Sequence, residues 1–463
     1  MCREGMMPAQ VNSRGKPVNM SAGYVLKNAI YESRLAEVHH GLDVRNDKPV
    51  IVKIQKNQCP GIDEIRKFEH EYHLMRDCSV PGIIRPVSLD MIDGRRTIIM
   101  EGFDGCTLTD YMRVHLPGMV ELTGIFIRIS GILSDLHDRK IIHRDLKPRN
   151  IMIDKNGGEI RLFDFSSSTI LKNEMQILCS PRTIEGQLEY MSPEQTGRMN
   201  RSVDYRSDYY SLGVTMYELF AGRLPFSSDD PMELVHSHIA RKPIPPHKIN
   251  SSLPVSLSEI ILKLMSKRAE DRYQTIRGLL HDLEFAGKIF RSGDQETGFT
   301  AGLCDRTSQF RISEKLYGRE NEIATLYSAF KKVAAGSVRV LIVTGEPGIG
   351  KSFLINEIHR PLVEKKGIFI SGKYDSMKRN IPYYAFIAAF RDLVRQVLTE
   401  SDSDIESWKK RILLSLGGNG RLLLDVIPEL ELIIGTQPEP EPTGPVESKN
   451  RFNRVLIDFM DIF

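Results

Sequence analysis

The sequence predicts a multidomain protein, an α+β two-lobed domain followed by an incomplete α/β domain. At 463 residues the chain is too long for one ordinary domain. A strand-rich stretch gives way to helical periodicity near residue 104. Beyond residue 314 the pattern restarts as helix, apolar strand, glycine-rich turn and helix, the alternation that builds a parallel sheet.

Composition narrows the class. With 41% hydrophobic and 27% charged residues the chain is globular. A formal net charge of +3 offers no polybasic surface, so nucleic acid is not an expected partner. The six cysteines (Cys2, Cys59, Cys78, Cys106, Cys179, Cys304) are scattered, which argues against structural zinc or a disulfide framework and for reduced thiols in a cytoplasmic protein. Met1 to Met20 lack a signal-peptide core, and no apolar run is long enough for a membrane span. No membrane insertion is expected.

Residues 1–23 read as a flexible tail. Short strands from Tyr24 end in Pro49-Val-Ile-Val-Lys53-Ile, a helix covers 63–76, and a strand follows at Thr97–Met100. This small lobe, about 24–103, precedes a large lobe of about 104–290. There Leu122, Ile125, Ile129, Leu133 and Leu136 form one apolar helical stripe, and further helices follow Asp208 and Ser256. Residues 291–314 read as a linker. In 315–463, Glu320–Val333 predicts a helix, Val338–Thr344 a buried strand and Phe353–His359 a helix. Thr436–Glu447 reads as a surface loop, and Phe452–Phe463 as an apolar helix.

The densest motif is His143-Arg-Asp-Leu-Lys-Pro-Arg-Asn150. It resembles the catalytic loop of eukaryotic-like serine/threonine protein kinases. The resemblance implies a kinase fold, ATP and Mg²⁺ as cofactors, and a protein Ser/Thr substrate. Asp145 would orient the substrate hydroxyl and accept its proton, and Asn150 would hold Mg²⁺. Lys147 matches the lysine that marks the Ser/Thr-specific loop and neutralises the transferring phosphoryl. The partners occur in order. Lys53 matches the phosphate-gripping lysine and Glu71 its ion-pair partner. Asp164-Phe165-Ser166 stands for Asp-Phe-Gly, making Asp164 a second metal ligand. Ser192-Pro193-Glu194 closes the activation segment, Asp208 resembles the anchor of the catalytic loop, and Arg272 the partner of Glu194.

Val38, which lies 15 residues before Lys53, matches the valine over adenine, and Met100, Glu101 and Phe103 match the hinge. Three glycine positions of the loop before Val38 carry Tyr31, Ser33 and Ala36 instead, which restricts backbone approach to phosphates. Gln187 stands where a threonine contacts the catalytic loop. Arg144 precedes the base, and Ser180 and Thr183 are candidate phosphorylation sites on the activation segment.

A second nucleotide site is written in Gly345-Glu-Pro-Gly348-Ile-Gly350-Lys351-Ser352, a P-loop pattern. Backbone N–H groups would cradle phosphates, Lys351 would reach them, and Ser352 would ligate Mg²⁺. The flanks Leu316–Ile323, Gly372-Lys-Tyr-Asp and Arg379-Asn-Ile-Pro-Tyr resemble AAA/STAND signalling ATPases. The whole arrangement is similar to bacterial proteins joining a Ser/Thr kinase to an ATPase, a sensory region and a histidine kinase. Leu422-Leu-Leu-Asp425 is read as helix, and the ATPase's acidic strand would follow beyond Phe463. The chain is therefore read as a C-terminally truncated relative. The leading expectation is an ATP-dependent Ser/Thr kinase with a regulatory P-loop module in signal transduction. The alternatives are a weak pseudokinase acting as a nucleotide switch, or one half of a split phosphorelay sensor working with a histidine kinase or response regulator.

Overall fold

The computed structural model of the chain describes residues 18–20, 23–33, 35–57, 60–170, 188–196, 203–292, 299–305, 318–346, 348–358, 361–362, 367–374, 383–398, 402–441 and 444–462. Ser180, Thr183 and Gln187 lie outside the described residues.

Alternating apolar positions build an antiparallel sheet from β1 (Val18–Asn19), β2 (Tyr24–Glu32), β3 (Ala36–Asp43), β4 (Lys48–Gln55), β5 (Pro86–Ile92) and β6 (Arg95–Glu101), in the order β1-β2-β3-β4-β6-β5. The expected tail is shorter than residue 23. β1 pairs with β2, and Met20 is buried in a cluster with Tyr24 and Leu26 that would otherwise face water. Helix α1 (Ile62–Arg76) packs on β5.

Register decides what the sheet offers to the rest of the domain. Tyr31 lies opposite Val38, Val38 opposite Lys53, and Lys53 opposite Ile98. Directly paired residues share a face, so these four side chains form one row.

The large lobe adds β7 (Gly105–Thr107), α2 (Leu108–His115), α3 (Met119–Asp138), β8 (Ile141–Ile142), β9 (Ile151–Asp154), β10 (Ile160–Leu162) and β11 (Thr169–Ile170). Its remaining helices are α4 (Arg206–Ala221), α5 (Pro231–Ile239), α6 (Pro246–Ile249), α7 (Val255–Leu264) and α8 (Ile276–Ser292). Thr107 caps α2 by accepting the Asp110 N–H at 3.2 Å. The predicted stripe of α3 is buried from Leu122 to Leu136, within one core that runs through both lobes.

The expected linker is partly anchored. α8 runs to Ser292, and the Asp305 carboxylate accepts the N–H groups of Gln274 at 2.5 Å and Thr275 at 2.9 Å, capping the start of α8. Phe299 stacks on Phe285 with ring centroids 5.2 Å apart.

The C-terminal part contains α9 (Glu320–Ala334), α10 (Lys351–Asn356), α11 (Tyr384–Val397), α12 (Asp402–Leu416), α13 (Gly420–Leu424), α14 (Glu431–Ile434) and α15 (Pro445–Met460). The helices from α11 onward share a core that includes Phe390, Leu393, Ile412, Ile427 and Phe459. Leu422-Leu-Leu lies in α13, as read from the sequence, with Asp425 as its C-cap. The buried strand expected at Val338–Thr344 does not form. Val338, Val340 and Ile342 are 93%, 87% and 81% exposed. A strand needs neighbours to take its N–H and C=O groups, and no strand occurs among the described residues after 318. Among the described residues no helix is long and apolar enough to cross a membrane.

Candidate active site

The site lies where the sheet row of Tyr31, Val38 and Lys53 meets the catalytic loop. Lys53 reaches out of β4, and Glu71 out of the middle of α1. Lys53 Nζ donates to Glu71 Oε1 at 2.8 Å and Oε2 at 2.6 Å, and to Asp164 Oδ1 at 2.9 Å. All three side chains are buried, so one cation serves two carboxylates with little water to share the charge. Burial works against the Lys53 charge, but Asp164 and Glu71 override it and hold the ammonium well above its ordinary pKa. The carboxylates divide unequally. Burial alone would raise Asp164, yet Lys53 and hydrogen bonds from Tyr31 and Ser166 hold it far below the usual range. Glu71 is the weaker acid, pushed up to about 7 by burial against the opposing pull of Lys53.

Asp164 sits at φ +62° and Arg144 at φ +66°, left-handed values that side-chained residues rarely adopt. Local bonds hold the strained turn at Arg144. The buried Asp208 carboxylate accepts the N–H groups of His143 at 2.9 Å and Arg144 at 2.8 Å, and pairs with His137 Nε2 at 2.8 Å. Gln195 Nε2 donates to the Arg144 carbonyl at 2.7 Å, and Ser168 Oγ to the His143 carbonyl at 3.0 Å. The His143 and Phe165 rings lie 4.7 Å apart, which seats the Asp164 turn on the loop.

Within that frame Asp145 is aligned from two sides. Lys147 Nζ donates to Asp145 Oδ2 at 2.6 Å and Asn150 Nδ2 to the same oxygen at 2.9 Å. Asn150 Nδ2 also donates to the Asp145 carbonyl at 2.8 Å. Burial raises the Asp145 pKa above the ordinary carboxylate value, against the pull of Lys147. Asn150 Oδ1 is buried and accepts no hydrogen bond among the described residues. The orphaned Asn150 amide oxygen and the Asp164 carboxylate, which is close enough to act electrostatically on Asp145, are oxygen donors of the kind Mg²⁺ takes, so the residues present fit the cation.

The hinge residues lie at the end of β6. Phe103 is buried, Glu101 is exposed, and the Glu101 N–H is held by the Arg85 carbonyl at 2.8 Å. A Cβ on Gly102 would sit 2.3 Å from the Pro49 carbonyl, so only glycine fits between them. Sequence reasoning missed two neighbours. Arg161 on β10 places its guanidinium 5.4 Å from the Phe103 ring centroid and 3.5 Å from Glu101 Oε2. Tyr31 donates from its hydroxyl to Asp164 Oδ2 at 2.6 Å. Tyr31 joins Val38 and Lys53 through cross-strand register, which alternation within β2 does not reveal. For Arg161 no local signal exists.

In the second site, Gly348 and Gly350 adopt φ +84° and +94°, which glycine alone takes without strain. Gly350 leads into α10. Lys351 Nζ donates back to the carbonyls of Gly345 at 2.9 Å and Glu346 at 2.8 Å, and Ser352 is exposed beside it. Just past α10, Glu357 Oε2 meets Arg268 Nη2 of the large lobe at 2.6 Å.

Comparison with known proteins identifies the two domains. The protein kinase domain model matches residues 24–283, more than half of the chain, and the AAA ATPase domain model matches 315–463. The chain is 39% identical over 294 residues to hybrid signal transduction histidine kinase G of Dictyostelium discoideum, covering 59% of this chain and 8% of that protein. It is 26% identical over 348 residues to histidine protein kinase 1 of Candida albicans, covering 68% of this chain and 14% of that one. It is 30% identical over 275 residues to serine/threonine-protein kinase PknB of Mycolicibacterium smegmatis, covering 58% and 43%. The chain thus spans less than half the length of each of these relatives. Protein kinase and AAA ATPase domains bind ATP. The chain belongs to the protein kinase domain family, and its kinase domain is followed by a match to the AAA ATPase domain.

Proposed function

We propose that the chain transfers the γ-phosphoryl group of ATP to serine or threonine hydroxyls of a protein, under regulation by its P-loop module. One observation carries this reading: the Lys53–Glu71–Asp164 cluster is closed while Lys147 and Asn150 align Asp145. Val38 and the hinge at Glu101 and Phe103 would hold adenine, and Lys53 the phosphates. Asn150 Oδ1 and Asp164 would hold Mg²⁺, which when bound neutralises charge on the phosphates. Asp145 orients the attacking hydroxyl and accepts its proton as the oxygen–phosphorus bond forms. The bond to the bridging oxygen breaks, ADP departs, and Lys147 offsets charge on the group in flight.

Regulation is supported by the contact between Arg268 and Glu357, which connects the end of the P-loop helix to the kinase lobe. In the P-loop, Gly345, Gly348, Gly350, Lys351 and Ser352 would hold a second nucleotide. Likeness to two histidine kinases supports a phosphorelay partner, and the scattered cysteines support a cytoplasmic setting. The test is phosphate incorporation from γ-labelled ATP with Mg²⁺, into the chain and a generic Ser/Thr substrate. Label should vanish in Asp145→Ala and persist at an altered level in Lys351→Ala. A wild-type protein that binds ATP but transfers no label would instead make this a nucleotide switch.

A further inference from the structure

We propose that Tyr31 is a gate on the magnesium–nucleotide site, its hydroxyl covering the Asp164 carboxylate until the cation-bound nucleotide displaces it. The inference rests on the reading of Asp164 as a metal ligand. Register puts Tyr31 on the site face of the sheet, in the row with Val38 and Lys53. Its hydroxyl donates to Asp164 Oδ2 at 2.6 Å, while Oδ1 takes Lys53 at 2.9 Å and Ser166 at 2.7 Å. Donors from this chain therefore engage both carboxylate oxygens. The Tyr31 ring lies edge-on to Phe163 at 5.7 Å, so the phenol has a packed seat.

The neighbouring loop positions do nothing comparable. Ser33 Oγ is used in its own turn, donating to the Ala36 carbonyl at 3.1 Å and accepting the Ala36 N–H at 3.0 Å. Ala36 has no polar side chain. Tyr31 is thus the one of these three substituted positions whose side chain reaches the chemistry. The two metal-holding groups are left in different states, Asn150 Oδ1 open and Asp164 covered. A cation taking Asp164 Oδ2 competes with the Tyr31 hydroxyl for that oxygen. Nucleotide and Mg²⁺ therefore pay a joint entry cost that an open carboxylate would not impose.

The test is calorimetric titration of ATP at graded Mg²⁺ concentrations, using the full chain in a Lys351→Ala background so that the P-loop contributes nothing. Tyr31→Phe removes only the hydroxyl and should lower the half-saturating Mg²⁺ concentration about tenfold, the scale of a hydrogen bond to a charged group. Tyr31→Gly, which also removes the ring, should lower it at least as far. An unchanged or raised Mg²⁺ requirement in Tyr31→Phe overturns the gate. Failure of the Lys351→Ala parent to bind ATP, or a Mg²⁺ dependence that survives Asp164→Asn, overturns the site reading and the gate with it.

Discussion

Arg272 grips Glu194 with both ends of its guanidinium, Nη1 donating to Oε1 at 2.7 Å and Nη2 to Oε2 at 2.8 Å. Both side chains are buried, and Ser207 Oγ adds a third bond to Glu194 Oε1 at 2.6 Å. The pair ties the turn that ends the activation segment to the turn before α8. Burial alone would raise the Glu194 pKa, but Arg272 overrides it and holds the carboxyl at about 2.

Breaking this pair should be expensive. Glu194→Gln leaves a buried guanidinium without its counter-charge, a loss of about 3–5 kcal/mol. Kinase-domain melting should fall by about 10 °C. The pH dependence follows from the depressed value. Stability from Glu194 is present above the ordinary carboxylate value of 4.5 and lost as pH falls toward about 2. The melting gap between wild type and Glu194→Gln should therefore shrink between pH 7 and pH 3. A gap that stays constant would exclude this ion pair as its source.

The catalytic-loop geometry predicts a separate outcome for each residue. Asp145→Ala should reduce phosphotransfer by about 10²–10⁴ while ATP still binds, because the carboxylate contributes to the proton transfer and not to nucleotide affinity. Lys147→Ala should keep some activity but move the acidic limb of the pH–rate profile upward. The sign is fixed by the geometry. Burial already raises Asp145, Lys147 opposes that shift, and removing the cation makes the carboxylate harder to ionise. Steady-state rates from pH 5 to 8 check it, and a limb that moves downward would contradict the pairing.

Much of this site could be read from the sequence because it is written in local spacings. His143 to Asn150 is one continuous loop, and Lys53 ends an apolar strand. Contacts made through register and tertiary packing were harder to see. The β2–β3 pairing slips between Ala29 and Tyr31, so simple alternation does not show which face Tyr31 takes. Arg161 reaches the hinge only because β10, β9 and β7 form one small sheet beneath it. Val338–Thr344 went the other way. Its composition favours a strand, but strand burial depends on neighbouring strands that no sequence window contains.

Glu71 supplies a pH signature with the opposite sign to that of Glu194. Its pKa is raised from 4.5 to about 7 because burial outweighs the help from Lys53. A carboxyl that binds its proton more tightly when folded contributes stability below its unfolded value, and that contribution is lost as pH rises through about 7. Glu71→Gln carries a permanently neutral group and should lack this decline. Melting curves of the nucleotide-free protein from pH 5 to 8 should show wild type losing stability relative to the variant. The same variant should bind ATP more weakly, since Lys53 loses one of its two anionic partners. Parallel melting profiles would show that Glu71 stays ionised throughout.

The contact between Arg268 and Glu357 tests whether the two modules are coupled. Arg268 is 33% exposed at its side chain and Glu357 13%, so solvent screens the pair only in part. A double-mutant cycle with Arg268→Ala and Glu357→Ala should give a coupling of about 1 kcal/mol, at the upper end for partly exposed pairs. The location matters more than the size. Glu357 follows the helix that begins at Lys351, and Arg268 lies four residues before the Arg272 that grips Glu194. A change at the P-loop thus has a short route to the ion pair that closes the activation segment. Charge exchange, Arg268→Glu with Glu357→Arg, should restore the dependence of phosphotransfer on an intact Lys351 that either single reversal removes. Single reversals that leave that dependence untouched would mean that the P-loop signals by another route or does not signal to this lobe.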